Sequence, residues 1–174
     1  LRGAKRGGPP DPSPSGRALF SDRDDPKASI GGGIVKATDY LFERLIRLGV
    51  TRAFGVYGAA IAETFDAFHR FPALKLVCTI HEQAAGFAAE GYAKVHPSGL
   101  GVALATSGPG ALNLVTPIAN CYYDSVPALF ITGQIAKVWQ RPDDPKIRQR
   151  GFQECPIQEV VRPIGKRAVQ VTNA

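Results

Sequence analysis

Along the chain the spacing of apolar residues changes several times, and each change marks an element. Leu41, Phe42, Leu45, Ile46 and Leu48 recur every three or four residues, as on one face of an amphipathic helix, and Gly49 stands where such a helix stops. "TRAFGV" (51–56) is short and apolar, as a strand is, and "AAIAETFDAFHRF" (59–71) returns to helical spacing through Ile61, Phe65 and Phe68 before Pro72. "LKLVCTI" (74–80) predicts a buried strand. "EQAAGFAAEGYAKV" (82–95) predicts a helix whose Ala84, Ala85, Ala88 and Ala89 allow close packing. A strand at 101–106, the turn "SGPG" (107–110), a helix over about 110–122 and a strand at 127–133 follow. After a polar, Pro-containing loop, 156–163 reads as a short helix and 166–171 as a last strand.

Strands that alternate with helices imply βαβ units: an α/β fold with a doubly wound, mainly parallel sheet and helices on both faces. Such sheets bind ligands beyond the carboxyl ends of their strands. Four successive strand ends here carry Gly-rich or polar turns, "GVYGAA", "HE", "SGPG" and "TGQ", so that edge is the expected working edge.

Charge and composition then narrow the function. The net charge of +6 suggests nucleic acid until it is mapped. Residues 1–29 carry six Lys/Arg against four Asp, 137–174 carry eight against four, and 30–136 carry seven against seven. A neutral body with basic ends, lacking interleaved aromatics, reads as a solvated surface and not a phosphate-tracking groove, so no nucleic-acid partner is expected. No apolar run is long enough to span a bilayer, and no membrane association is expected. Residues 1–32, rich in Pro, Gly and charge, read as a disordered tail with neither a secretory nor a transit signal. Cys78, Cys121 and Cys155 are too far apart for a clustered metal site or a disulfide framework; Cys78 and Cys121 read as core residues, and a reducing, cytoplasmic setting is expected. The chain has no methionine and begins at Leu1, which suggests a fragment or a processed piece.

Singly, the motifs say little. "SGPG" between a strand and a helix is either a phosphate cradle or a tight turn. "GVYG" (55–58) lacks the third glycine and the acidic strand end of a dinucleotide fingerprint, which disfavours a nicotinamide cofactor. His81 and Glu82 look like an acid–base pair, but neighbouring side chains diverge, so His81 reads as a structural or lining residue. Glu82 is the unusual group, a carboxylate set where an apolar strand gives way to an alanine-rich helix.

In order and spacing, "HEQAAGFAAEGYAK", "GVALATSGPGALNLVTPIANCYYDSVPALFITGQ" and "RGFQECPIQEVVRPIGK" together closely resemble the pyrimidine-binding (PYR) domain of thiamine-diphosphate enzymes, in the acetolactate-synthase-like subgroup. The resemblance assigns 33–174 to that domain. It implies that Glu82 is the catalytic glutamate that hydrogen-bonds N1′ of the cofactor's aminopyrimidine. There it favours the imino tautomer whose 4′-nitrogen can take the thiazolium C2 proton. Val56, Pro109 and Asn113 match cofactor-binding positions. Gly58, Gln134, Phe152 and Gln153 match residues lining the substrate cavity. Tyr57 and Ala59 depart from the family's usual turn, where proline and glycine are common. Glu90 belongs to no site motif and is expected to be a neutral comparison for Glu82.

The resemblance further implies a carboligase or decarboxylase acting on a 2-oxo acid, with thiamine diphosphate as cofactor. Mg2+ would be held through a diphosphate domain whose "GDG…NN" stretch is not in this sequence, no metal site is expected here, and FAD is possible but not indicated. It implies a homodimer or homotetramer with the site shared between chains and the 82–95 and 110–122 helices near the contact. Two other readings are a separate α subunit of a two-subunit 2-oxo-acid decarboxylase and a non-catalytic interaction module.

Overall fold

In the computed structural model, β1 (Arg52–Gly55), β2 (Lys75–Cys78), β3 (Gly101–Ala105) and β4 (Ala128–Thr132) form one all-parallel sheet in the order β2-β1-β3-β4. The structure describes residues 35–142, 144 and 146–172; the tail expected over 1–32 lies outside them. From β1 the chain builds outward to β2, then crosses to the other side of β1 to lay down β3 and β4. The order therefore reverses between β1 and β3, the place where sheets of this class open a crevice at their carboxyl edge.

Side-chain alternation along β3 sorts the two faces. All five of its residues are buried. Val102 and Leu104 join Phe42 and Leu45 of α1 (Ala37–Arg47) and Phe65 and Ala67 of α2 (Ala62–Arg70) in one cluster. Ala103 and Ala105 face the other way, against Ala89 of α3 (Glu82–Val95) and Ile118 of α5 (Val115–Tyr123). Small residues bring α3 unusually close. A Cβ built on Gly101 would stand 2.1 Å from the Ala89 carbonyl oxygen, and one built on Gly86 would stand 2.2 Å from Cγ of Pro117 on α5. Helices on both faces of a parallel sheet are the architecture that the alternating pattern predicts.

Four local expectations are corrected. The single helix expected over 110–122 is two, α4 (Pro109–Leu112) and α5. Pro117 has no N–H and its ring would clash with the carbonyl of Asn113 four residues back, so the helix restarts between them. β2 is an edge strand, not a buried one: Lys75, Val77 and Cys78 are exposed, and Cys78 is no core residue. Residues 166–171 form no strand; Gln170 instead donates through Nε2 to Gln140 Oε1 at 3.0 Å, and Val169 and Val171 are exposed. The helix expected over 156–163 shortens to α6 (Ile157–Val161), followed by a 3₁₀ turn. Among the described residues no helix is long and apolar enough to cross a membrane.

Candidate functional site

Glu82 is the first residue of α3, and the reason lies one position earlier. His81 is extended (φ −151°, ψ 140°), and its Nδ1 accepts the Gln83 N–H at 3.1 Å, a side-chain cap on an otherwise orphaned helical donor. His81 is thus structural, as expected. Capping falls to His81, which leaves the Glu82 carboxylate for another purpose. It reaches across to the restart between α4 and α5, where Asn113 Nδ2 donates to Glu82 Oε2 at 2.9 Å. Asn113 thus stands at the break between α4 and α5, facing Glu82.

The other carboxylate oxygen faces the "SGPG" turn. A Cβ built on Gly110 would lie 3.1 Å from Glu82 Oε1 and 2.7 Å from Thr106 Cγ2. Thr106 also meets the turn after β1, since a Cβ on Gly58 would fall 2.4 Å from its Cβ. Beside it, the Val56 N–H reaches the Leu104 carbonyl at 3.4 Å. The ends of β1, β2 and β3 thus converge on Thr106 and Glu82. Thr106 escaped the sequence reading; its only signal was its place directly before "SGPG". Pro109 is the first residue of α4 and is exposed. Tyr57, where the turn departs from the family, is exposed and stacks edge-on against Phe65 with ring centres 5.2 Å apart.

Gln134, Phe152 and Gln153 form a second group, joined to the first at Gly108. That glycine has φ +58°, and a Cβ there would stand 2.1 Å from the Gln153 carbonyl oxygen. Gln153 is itself left-handed, with φ +54°. Gln134 Nε2 donates to the Cys155 carbonyl at 3.5 Å, which ties the end of β4 to the same segment. Phe152 is 81% exposed. A polar cavity of about 570 Å³ opens beside Gln134, with Arg141, Asp144, Glu154 and Glu159 in its wall. Glu82, Val56, Pro109 and Asn113 do not line it. Three carboxylates against one guanidinium make it a poor host for an anion.

Glu90 is not the neutral bystander that its sequence context suggested. It is 4% exposed, ion-paired with Lys94, and accepts from Asn120 Nδ2 through both oxygens at 2.9 and 2.8 Å. Lys94 and Asn120 hold its carboxyl below the usual 4.5, against the opposing effect of burial. It pins α3 to α5. Nearby Cys121 is 4% exposed, and burial with the Glu90 charge raises its thiol to about 11, an inert core residue as expected. Burial also pushes Cys155 up. Among the described residues no group of three or more His, Cys, Asp or Glu could hold a metal ion.

The donor set fits an aminopyrimidine. One carboxylate oxygen is fixed by an amide, and the other faces Gly110, where a larger residue would crowd it, so that it is left able to accept or share a proton with a ring nitrogen. Comparison with known proteins points the same way. Residues 35–160 match the family model described as "Thiamine pyrophosphate enzyme, N-terminal TPP binding domain". The chain is 41% identical over 129 residues to the acetolactate synthase large subunit of Corynebacterium glutamicum, covering 74% of this chain and 19% of that protein. It is 45% identical over 132 residues to acetolactate synthase 2, chloroplastic, of Nicotiana tabacum, covering 75% and 18%. With the Lactococcus lactis large subunit the identity is 41% over 131 residues, covering 75% and 21%. The chain spans about a fifth of the length of these curated relatives. A parallel sheet with a glutamate at its carboxyl edge, and a family match over most of the described residues, lead to one conclusion: this chain belongs to the thiamine pyrophosphate enzymes, as their N-terminal TPP-binding domain.

Proposed function

We propose that the protein carrying this domain is a thiamine-diphosphate-dependent carboligase or decarboxylase acting on a 2-oxo acid, in the manner of acetolactate synthase. The observation that carries the reading is the Glu82 carboxylate, held by Asn113 on one oxygen and set over Gly110 on the other, at the carboxyl edge of the sheet. Bound thiamine diphosphate supplies a thiazolium that accepts the electrons released when a 2-oxo acid loses CO2. Glu82 holds and returns the proton at N1′ of the aminopyrimidine, and Asn113 fixes the carboxylate's orientation. Val56 and Pro109 would flank the ring, while Gly58, Gln134, Phe152 and Gln153 would line the side from which substrate enters. Mg2+ would neutralise the cofactor's diphosphate when bound, and among the described residues no cluster of ligands would hold it.

The site is proposed to be shared between chains in a homodimer or homotetramer. Ala84, Phe87, Gly91 and Val95 make a small, apolar, exposed row on the outer face of α3, with Leu112 of α4 also exposed nearby in sequence to Asn113. Three free cysteines suit a reducing compartment, and we assign the cytoplasm; recovery of the protein from an organelle fraction would remove that assignment.

The test uses the full-length protein with thiamine diphosphate, Mg2+ and pyruvate as the probe 2-oxo acid. CO2 release that requires the cofactor, from a species that sediments as a dimer or larger, is the expected result. Cofactor binding without CO2 release from any of a panel of 2-oxo acids, or a strict monomer at micromolar concentration, would refute it.

A further inference from the structure

Gly108 and Gln153 press together although both are left-handed, and only one of them is a glycine. A non-glycine residue held at φ +54° costs free energy, so surrounding contacts must fix it there. They do not come from a strand or helix: residues 146–156 contain neither. They come from one backbone bond, the Glu154 N–H to the Gly151 carbonyl at 3.3 Å, and from the Glu154 side chain. Glu154 Oε1 accepts the Arg141 N–H at 2.7 Å, and Oε2 accepts the Arg150 N–H at 3.0 Å and the Gly151 N–H at 3.3 Å. The carboxylate thus binds the chain on both sides of the preceding loop and just before Phe152.

Gly151 is also packed tightly against the chain that precedes the loop. A Cβ there would stand 2.0 Å from Ile135 Cδ1 and 2.9 Å from the Trp139 carbonyl oxygen. Gln149 Nε2 closes the turn by donating to the Gly151 carbonyl at 2.7 Å. Of the contacts that set the path into Phe152 and Gln153, the three that tie it to the chain on both sides of the loop are made by the Glu154 carboxylate. Burial works to raise its pKa, but its three backbone donors and the Arg141 charge outweigh that and keep it below 4.5, so it is ionised whenever the protein is near neutrality.

We propose that Glu154 is a positioning residue, whose carboxylate seats Gln153 on the "SGPG" turn and so fixes where Phe152 and Gln153 stand when substrate arrives. The proposal deepens the functional reading and rests on its assignment of those two residues to the substrate side. Glu154 touches neither the cofactor's proton path nor the reacting atoms; it acts through the pair that precedes it. The division of labour has a distinctive consequence. Loss of the carboxylate impairs use of the 2-oxo acid and leaves cofactor activation at Glu82 intact, whereas loss of a merely structural residue would impair both.

The test is Glu154→Gln in the full-length holoenzyme. Glutamine can still accept the Arg141 N–H, but it turns an NH2 toward the Arg150 and Gly151 donors. With pyruvate as the probe, kcat/KM falls about 10- to 100-fold, mostly through KM, the scale of effect expected when a positioning contact shifts by about an ångström. Exchange of the cofactor C2 proton and the thiamine diphosphate Kd stay at wild-type values. A fall in C2-proton exchange parallel to that in kcat/KM, or an unchanged kcat/KM, overturns the proposal. A second measurement needs neither a variant nor turnover. In wild type, hydrogen exchange finds the Arg141, Arg150 and Gly151 amides protected; free exchange at all three would overturn the proposal by itself. Because this arm reads the clamp without catalysis, a protein inactive on 2-oxo acids would count against the functional reading alone.

Discussion

The two halves of the candidate site sit on the same sheet edge but are built by different means. Glu82 and Asn113 are placed by regular structure: a capped helix start on one side and a proline-enforced helix restart on the other. Behind them lie the buried β3 strand and the Glu90 network that pins α3 to α5. Phe152 and Gln153 are placed by side-chain-to-backbone hydrogen bonds in a stretch without helix or ladder, centred on Glu154. The lesson is one of independence. On the proposed function, the end assigned to the cofactor inherits its geometry from the core and should fail only when the core fails. The end proposed to meet substrate depends on a few polar contacts, so it can change with little effect on the fold or on the Glu82 end.

That contrast can be broken at several scales. The largest effect on stability is expected from Leu104→Ala, which empties a fully buried site in the central strand at a cost of about 2–5 kcal/mol. Urea unfolding followed by hydrogen exchange should show α3, β3 and the Glu82 end losing protection together. Retained protection of α3 in that variant would mean the two layers are not coupled through β3.

Glu90→Gln comes next. Replacing a buried, multiply bonded carboxylate with an amide should cost about 1–3 kcal/mol, since charged hydrogen bonds are worth more than neutral ones. The same substitution should also reshape the pH dependence. Glu90 and Glu154 both titrate below the ordinary 4.5 in the folded protein, so each contributes stability that is complete above that value and is lost as pH falls through its lowered pKa. The urea midpoint should be flat from roughly pH 7 to 5 and then fall, and Glu90→Gln should make that acid fall shallower. An equally steep fall in the variant would remove Glu90 as a source of acid sensitivity. Glu154→Gln, by contrast, should move the midpoint least of the three, because its contacts order a loop and not the core.

Much of this could be read in the sequence because it was carried by period and punctuation. The alternation of helical and strand spacing gave the parallel sheet, Gly49 closed α1 with φ +79°, and the four strand-end turns marked the working edge. What escaped reading depended on contacts across the fold. An apolar run such as "LKLVCTI" does not say whether a strand is central or at an edge, so the exposure of Cys78 was hidden. Glu90 sits in a helix beside alanines; Lys94 four residues on was a local hint of a partner, but Asn120, thirty residues away, which bonds both oxygens, was not visible. The role of Pro117 in splitting the 110–122 helix was written in the chain and simply outweighed by the apolar spacing around it. Glu154 had no local signal, because its three partners are backbone amides, which any sequence supplies.

The central claim is that Glu82 is a proton-handling group and not a helix-terminal carboxylate. Its most direct test is exchange of the cofactor C2 proton in the full-length protein, with saturating thiamine diphosphate and Mg2+. Glu82→Gln keeps the shape and the bond to Asn113 within reach but cannot trade a proton with N1′. Exchange should therefore slow by about 10²- to 10⁴-fold, the usual loss for an acid–base group. Glu63→Gln, at an exposed position ion-paired with Lys36, replaces Glu90 as the comparison and should exchange like wild type. Exchange in Glu82→Gln at the rate of the Glu63→Gln control would contradict the account.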